Sequence, residues 1–182
     1  TSFYGNKMFI DEVEITAPVY IPVTITNGAN GTSSPTGVQS ILNGTTRLIN
    51  FTPAVGYRVA SITINGTQVQ GSDLTNSRPF AYTLNVGLDT LAVNAQYEKI
   101  PYTITPSITN FHGANYLDNG NMPGTITPNT PTIVLHGEST TFTIAVNPHF
   151  HLYRLLVDGV SAPFVSQGNN TFTYTFTNVT AP

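Results

Sequence analysis

Two short stretches of this sequence carry residue types that bind metal ions. His149 and His151 are separated by one residue, and two imidazoles on one face of a strand can hold zinc. The run DNGN at 118–121 offers oxygen ligands of the kind that calcium prefers, but it lacks the further spaced acids of an EF-hand loop. We interpret the histidines as exposed polar residues of a strand and the DNGN run as an Asx turn. The sequence therefore predicts no metal site.

Asp11, Glu12 and Glu14 form an acidic cluster that holds three of the nine acidic residues in the chain. We interpret the cluster as a solvated outer face of a strand. The alternative is a cluster that meets a cation, such as Arg154 or a metal ion, at a joint between subunits. The sequence contains no nucleophile elbow, phosphate-binding loop, zinc-binding helix or pair of catalytic carboxylates. We therefore predict no catalytic residues, no enzyme activity and no cofactor.

The composition limits the classes of partner. Charged residues make up 8% of the 182 residues, against roughly 25% in average soluble proteins. With six Lys and Arg and a net charge of −3, the chain is not expected to bind nucleic acid or an anionic membrane. No apolar run approaches the roughly 18 residues that a membrane-spanning helix needs. Hydrophobic residues make up 40%, which is enough to form a core.

The scarcity of ionisable groups predicts a stability that depends weakly on pH in the acidic range. Only nine side-chain carboxylates can take up a proton as the solution is acidified. We expect the melting temperature, followed by circular dichroism, to stay nearly constant between about pH 3 and pH 7. A steep fall on acidification would contradict this expectation.

Asn-x-Ser/Thr sequons predict a secreted protein with N-glycans on its surface. The sequence has no cysteine and begins with Thr1, so we expect either a processed chain, with any signal peptide already removed, or an excerpt of a longer one. We predict an extracellular location on the cell surface. The candidate glycosylation sites are Asn30, Asn43, Asn50, Asn65, Asn169 and Asn178.

Internal self-similarity divides the chain into two copies of one unit. The segment IPVTIT at 21–26 returns as IPYTIT at 100–105, and GYRVASITINGT at 56–67 returns as HFHLYRLLVDGVS at 149–161. The second copy carries an insertion at about 107–123. The predicted boundaries are 1–17 for an N-terminal donor strand, 18–99 for a first module and 100–182 for a second module.

Each copy is predicted to be an all-β sandwich of the immunoglobulin-like or pilin-like type. Apolar residues and threonines alternate with period two, for example at Phe142, Ile144 and Val146. Asn-Gly and Asp-Gly pairs between such runs, at 65–66 and 158–159, supply the positive φ angles of tight hairpins. Short strands separated by turn signals are typical of sandwiches.

The order of motifs in the first copy carries a family resemblance. The segment PAVGYRVASITING at 53–66 is followed by FAYTLNV at 80–86. This order resembles the divergent B-repeat modules of bacterial surface proteins, which implies an extracellular β-module and no particular chemistry. Such modules finish with one more strand after the Asn-Val turn. The first copy has that strand at 90–98, whereas the second copy ends on TFTYTFTNVTAP, 171–182.

The two ends of the sequence differ by one predicted strand, because KMFIDEVEIT at 7–16 precedes the first copy. A sandwich that lacks a strand leaves unpaired backbone groups above an open core. Burying about four side chains there is worth roughly 1.5–3 kcal/mol each. We therefore predict that a donor strand fills a groove in the second module. The donor residues are Met8, Phe9, Ile10, Val13 and Ile15, and the acceptor residues are Leu152, Leu155, Val157, Phe172, Tyr174 and Phe176.

Three sources could supply the strand that fills the groove. The N-terminus of a neighbouring molecule could insert, which joins subunits head to tail into an open filament. The chain's own N-terminus could fold back, or the sequence is an excerpt of a longer array. We favour the first, because the tether TAPVY at 16–20 contains a proline that would hold the donor away from its own body. The overall design resembles archaeal thread pilins, which implies a surface homopolymer linked by donor-strand complementation.

A stalk or glycan-binding adhesin module is the main alternative function. The insertion at 107–123 contains Phe111, His112 and Tyr116, which could form an exposed aromatic platform for surface glycans. We interpret these residues as loop packing. The partner that we predict is therefore the protein itself.

Overall fold

The computed structural model describes residues 17–69, 79–109 and 123–182. Within these ranges the chain forms β-strands and no helix, which confirms the all-β prediction. The predicted donor strand and most of the insertion lie outside the described residues. The strands are β1 (Tyr20–Asn27), β2 (Gly31–Ser34), β3 (Gly37–Leu42), β4 (Thr46–Pro53), β5 (Tyr57–Ile64), β6 (Thr67–Val69), β7 (Phe80–Asn85), β8 (Leu91–Lys99), β9 (Pro101–Ile104), β10 (Gly124–Thr127), β11 (Thr132–Leu135), β12 (Thr140–Val146), β13 (Leu155–Val157), β14 (Val160–Ala162), β15 (Val165–Gly168) and β16 (Thr171–Phe176).

Strand pairing separates β1–β8, here called module one, from β9–β16, here called module two. Each sheet of the described strands draws its members from one module only. Module one consists of a five-stranded sheet in the order β3-β1-β8-β5-β6 and a three-stranded sheet in the order β2-β4-β7. In the described part of the chain, no helix has the length and hydropathy needed to cross a membrane.

The core of module one lies between its two sheets. Ile25, Ile62 and Val93 of the five-stranded sheet are fully buried, as are Ile49 and Phe51 of the facing sheet. The neighbours of these residues along each strand are mostly polar and more exposed, because successive side chains of a strand point to opposite faces. The period-two alternation of the sequence therefore builds a sandwich.

Strand β8 is the central strand of module one and comes last in its sequence. It runs parallel to β1, with Val23 opposite Leu91, and antiparallel to β5, with Ile62 opposite Ala95. Its Val93 and Ala95 side chains are completely buried. Removing β8 would therefore divide the sheet and expose the middle of the core.

Tyr97 of β8 closes one end of this core. Its ring lies against Gly31, where an added Cβ atom would overlap it. The hydroxyl donates a hydrogen bond to Asn27 Oδ1 at 2.9 Å and lies 3.1 Å from the Thr32 carbonyl oxygen. Burial raises the pKa of Tyr97 to about 12.

The raised pKa of Tyr97 predicts a loss of stability in alkaline solution. The neutral phenol is favoured in the folded state, so its contribution is complete below the unfolded pKa of about 10. The contribution is lost as the pH rises through the folded value of about 12. We expect a spectrophotometric tyrosine titration to show one late phenol that disappears in Tyr97→Phe. An unchanged titration curve for that variant would refute the assignment.

The two modules share the same backbone geometry at one of their hairpin turns. The hairpin turn after β5 has Asn65 at φ 49° and Gly66 at φ 80°, and the turn after β13 has Asp158 and Gly159 at the same angles. These positive φ angles are what a two-residue hairpin turn needs.

The first strands of the two modules align differently from the sequence repeat. The sequence match of IPVTIT with IPYTIT places Ile21 with Ile100. Hydrogen bonding instead places Val19 with Ile100, because the Asn43 and His136 amides donate to these two carbonyls in equivalent turns. The shift is two residues, so the same face of the strand still points inward.

Candidate functional site

Module two repeats the five-stranded sheet of module one without its central strand. Its strands form two separate pairs, β11-β9 and β13-β14, and a four-stranded sheet in the order β10-β12-β16-β15. By position in the repeat, β11-β9 corresponds to β3-β1 and β13-β14 corresponds to β5-β6. Among the described strands, none pairs with the inner edge of β9 or of β13. Within 17–69, 79–109 and 123–182, the place that β8 occupies in module one is therefore open in module two.

A cavity of about 110 Å³ lies at this place. Its walls come from the end of β9 and from β13, and its floor comes from β12 and β16 of the facing sheet. The lining residues are Ile104, Thr105, Pro106, Ser107, Ile126, Phe142, Ile144, Leu155, Leu156, Val157, Tyr174 and Phe176. We call this cavity and the open strand position above it the acceptor groove.

The acceptor groove leaves the core of module two incompletely covered. Leu155 occupies the place of Ile62, and Phe176 occupies the place of Leu84. The two residues of module one are 0% and 2% exposed, whereas their counterparts are only half-buried. The repeated sequence pattern therefore builds the same sheets but achieves less burial.

The strand next to the groove is also shorter. β5 begins at Tyr57, but its counterpart β13 begins only at Leu155, although Phe150 is the residue equivalent to Tyr57. In module one the antiparallel ladder with β8 starts at Tyr57, opposite Lys99. A strand in the groove would supply the same ladder to residues 150–157.

Four of the six predicted acceptor residues line the cavity. Leu155 and Val157 form one wall of the cavity, and Tyr174 and Phe176 form part of its floor. Phe142 packs edge-on against Phe176, with ring centroids 5.8 Å apart.

Two of the predicted acceptor residues do not line the cavity. Phe172 packs edge-on against Phe164, with ring centroids 5.3 Å apart. Leu152 precedes β13 and is equivalent to the buried Val59 of β5. The predicted donor residues lie outside the described part of the chain.

The predicted strand position of the two histidines is wrong. His149 has φ 73° and lies in a turn, and His151 is exposed outside any strand. Residues 150–154 have no strand partner among the described residues, whereas the equivalent part of β5 pairs with β8. Within 17–69, 79–109 and 123–182, no group of His, Cys, Asp or Glu is arranged to hold a metal ion.

Of the six sequon asparagines, five are exposed, and Asn43 is half-buried. Asn65 already uses its side-chain amide within the fold. Its Oδ1 accepts a hydrogen bond from the Ala92 amide at 2.7 Å, and its Nδ2 donates to the Thr90 carbonyl at 3.3 Å. Exposure favours glycosylation at Asn30, Asn50, Asn169 and Asn178, and modification stays a prediction.

The segment after β16 follows the path that leads into β8 in module one. Val179 accepts a hydrogen bond from the Gly137 amide and donates one to the Glu138 carbonyl, at 2.8 and 2.9 Å. Val86 makes the same pair of bonds with Gly44 and Thr45. In module one, the residues after Val86 turn and enter the sheet as β8.

The comparisons with known proteins agree with this plan for module one. Residues 21–101 match the family model of the divergent InlB B-repeat domain. The family is a surface repeat domain and not an enzymatic one, so the match supports a surface-protein repeat module. No curated protein and no solved structure matches the chain.

The match ends at Pro101 and so includes β8, the strand whose position is open in module two. The match supports the resemblance that the motifs of the first copy predicted.

The sequence repeat does not identify Ile104, Phe142 or Ile144 as residues of the groove. The alternation of apolar residues was a visible signal that Phe142 and Ile144 point inward. Ile104 could not be assigned, because β8 lies between β1 and β5, which are not its neighbours in the sequence.

Proposed function

We propose that this protein is the structural subunit of an extracellular filament whose subunits are joined head to tail by strand insertion. The observation that carries the proposal is the acceptor groove. It lies where β8 lies in module one, between the equivalent strands β9 and β13 and over an apolar floor. The occupant is the N-terminal segment 7–16 of a neighbouring copy. This segment is apolar at Met8, Ile10, Val13 and Ile15, so a strand with a bulge at 11–12 would present an apolar face.

The direction of the inserted strand follows from module one. Since β8 is parallel to β1 and antiparallel to β5, the donor would run parallel to β9 and antiparallel to β13. Its last residues would then lie at the outer end of module two, close to His149. The next copy would begin its own β1 directly beyond that end.

Insertion of the donor into its own module two is opposed by distance. β1 starts beside the start of β8, whereas module two begins at the end of β8. From Tyr20 to the level of Lys99 the strands span roughly 36 Å. Residues 17–19 can bridge at most about 14 Å between the donor and β1. On these lengths, a donor strand at 7–16 would reach the groove of another copy but not its own.

The experiment that tests this proposal compares the full chain with a chain that starts at Ala17. We expect the full chain to form filaments visible by negative-stain electron microscopy. The truncated chain should stay monomeric in analytical ultracentrifugation and bind a synthetic peptide of residues 1–17.

A peptide with the same composition in scrambled order serves as the control. The proposal would be refuted if the full chain stays monomeric at high concentration and the truncated chain does not bind the peptide.

A second candidate function is a module within a longer surface protein. The observation that favours it is the position of Val179, which matches Val86 at the entry to β8. In a longer chain, residues after Pro182 would fill the groove in cis, as 87–99 do in module one. The match of residues 21–101 to a repeat family fits this function as well.

The two candidates make different predictions for the same truncated chain. A peptide with the sequence of residues 87–99 tests whether the groove accepts a strand of the repeat type. Binding of this peptide but not of residues 1–17, with no filaments from the full chain, would favour the module function.

A further inference from the structure

The two modules are joined covalently at a single residue, and hydrogen bonds and an ion pair link them there. Ile100 is the single residue between β8 and β9. Its amide donates a hydrogen bond to the Gly56 carbonyl at 3.0 Å, and its carbonyl accepts one from the His136 amide at 2.8 Å. An ion pair joins Lys99 Nζ to Glu138 Oε1 at 3.0 Å. Both modules thus hold the connecting residue in place.

A side-chain fit completes this joint. The His136 ring lies directly over Gly56, where an added Cβ atom would overlap the imidazole. Gly56 is buried and has φ 80°, in the left-handed region that favours glycine. The His136 ring also lies near Tyr102, whose hydroxyl is 3.2 Å from Nδ1. A small residue of module one therefore faces a large residue of module two.

Each outer end of the chain carries one half of the same joint. At the outer end of module two, His149 stands in the place of Gly56, in a turn closed by the Phe150 amide on the Asn147 carbonyl. The equivalent bond in module one joins Tyr57 to Ala54. His149 keeps the positive φ of 73° and is exposed.

The outer end of module one carries the other half. The Asn43 amide donates to the Val19 carbonyl at 2.8 Å, as the His136 amide donates to the Ile100 carbonyl. Val19 and Tyr20 are 52% and 57% exposed, so this end presents apolar surface beside Asn43. Asn43 is thus the counterpart of His136, with a shorter side chain.

We infer that the outer end of module two docks on the outer end of module one of the next copy, with His149 against Asn43. This inference rests on the proposed function, because strand insertion would bring these two ends together. The large and the small side chain change places between the two joints. Within the chain, the small Gly56 faces the large His136. Between chains, the large His149 would face the smaller Asn43. A histidine on both sides would overlap, and the exchange avoids this. The Val19 amide would donate to the His149 carbonyl, as the Ile100 amide donates to the Gly56 carbonyl.

The inter-chain joint should depend less on salt than the joint within the chain. Thr45 stands where Glu138 contributes to the ion pair with Lys99, and Pro18 precedes Val19 as Lys99 precedes Ile100. The outer end of module one therefore lacks both charges of this ion pair.

The test is an exchange of side chains between the two joints, made in the full chain produced without glycosylation. Asn43→His should raise the critical concentration for filament formation about tenfold, because two imidazoles then compete for one place. Adding His149→Gly recreates the Gly56 and His136 pair and should bring the value back to within about threefold of the parent. Asn43→Gln also removes the sequon but keeps the amide, so it is the matched control.

The outcomes separate this inference from the proposed function. The docking contact alone would be overturned if the Asn43→His chain forms filaments as well as the parent and its groove still binds the peptide of residues 1–17. The docking contact and the proposed function would both be overturned if the parent chain forms no filaments and its groove does not bind the peptide. Melting of each variant in the chain that starts at Ala17 checks that the fold is unchanged.

Discussion

Replacing Leu155 by Asp is expected to abolish filament formation while leaving the monomer folded. Leu155 lines the acceptor groove and is half-buried, so in the empty groove a carboxylate can still reach water. Once a donor strand covers it, the carboxylate would be buried without a partner, which costs several kcal/mol. At about 1.4 kcal/mol per factor of ten, the affinity for the donor should fall by at least about a hundredfold.

Val160→Asp is the matched control for this substitution. Val160 lies on β14 in the same hairpin and is 70% exposed, outside the cavity lining. Binding of the peptide of residues 1–17 to the chain that starts at Ala17, measured by calorimetry, should be lost with Leu155→Asp and kept with Val160→Asp. Equal binding by the two variants would show that the donor lies elsewhere.

The sequence predicted the fold class because the alternation of side chains and the turn residues are local signals. Asn65-Gly66 and Asp158-Gly159 identify hairpin turns without any knowledge of the partners of the strands. The repeat then extended each local assignment to the other copy. For these reasons the sandwich could be predicted from the residues alone, and the comparison with the divergent B-repeat family supports it for 21–101.

The position of the groove could not be predicted to the same degree, because it depends on strand order. β8 is last in the sequence of module one but central in its sheet. The repeat showed that the last strand of module one has no counterpart in module two. It did not show which strands would lie beside the missing strand. Leu155 and Val157 were found through the repeat, whereas Ile104 required the parallel pairing of β1 with β8.

The histidine positions show how tertiary context changes local structure. The alternation of aromatic and apolar residues in 149–157 predicted one continuous strand, as in β5. The strand is confined to Leu155–Val157, because a strand exists only where a neighbour completes its ladder. His149 also takes the positive φ that Gly56 has at the aligned position of the first copy.

Alanine substitutions at the equivalent residues Ile62 and Leu155 should differ in effect until the groove is filled. Ile62 is 0% exposed between β8 and the facing sheet, so Ile62→Ala should destabilise module one by about 2–5 kcal/mol. Leu155→Ala removes a side chain that is only half-buried, so in the chain that starts at Ala17 the loss should be about 1 kcal/mol or less.

Filling the groove should remove this difference. With the peptide of residues 1–17 bound, the Leu155 side chain gains the cover that β8 gives to Ile62, so its truncation should then cost about as much as that of Ile62. Chemical denaturation of both variants, with and without saturating peptide, measures the change. Because Ile62 is already covered by its own β8, its value should not change with the peptide. A Leu155→Ala effect that is equally insensitive to the peptide would mean that the groove is not where the strand binds.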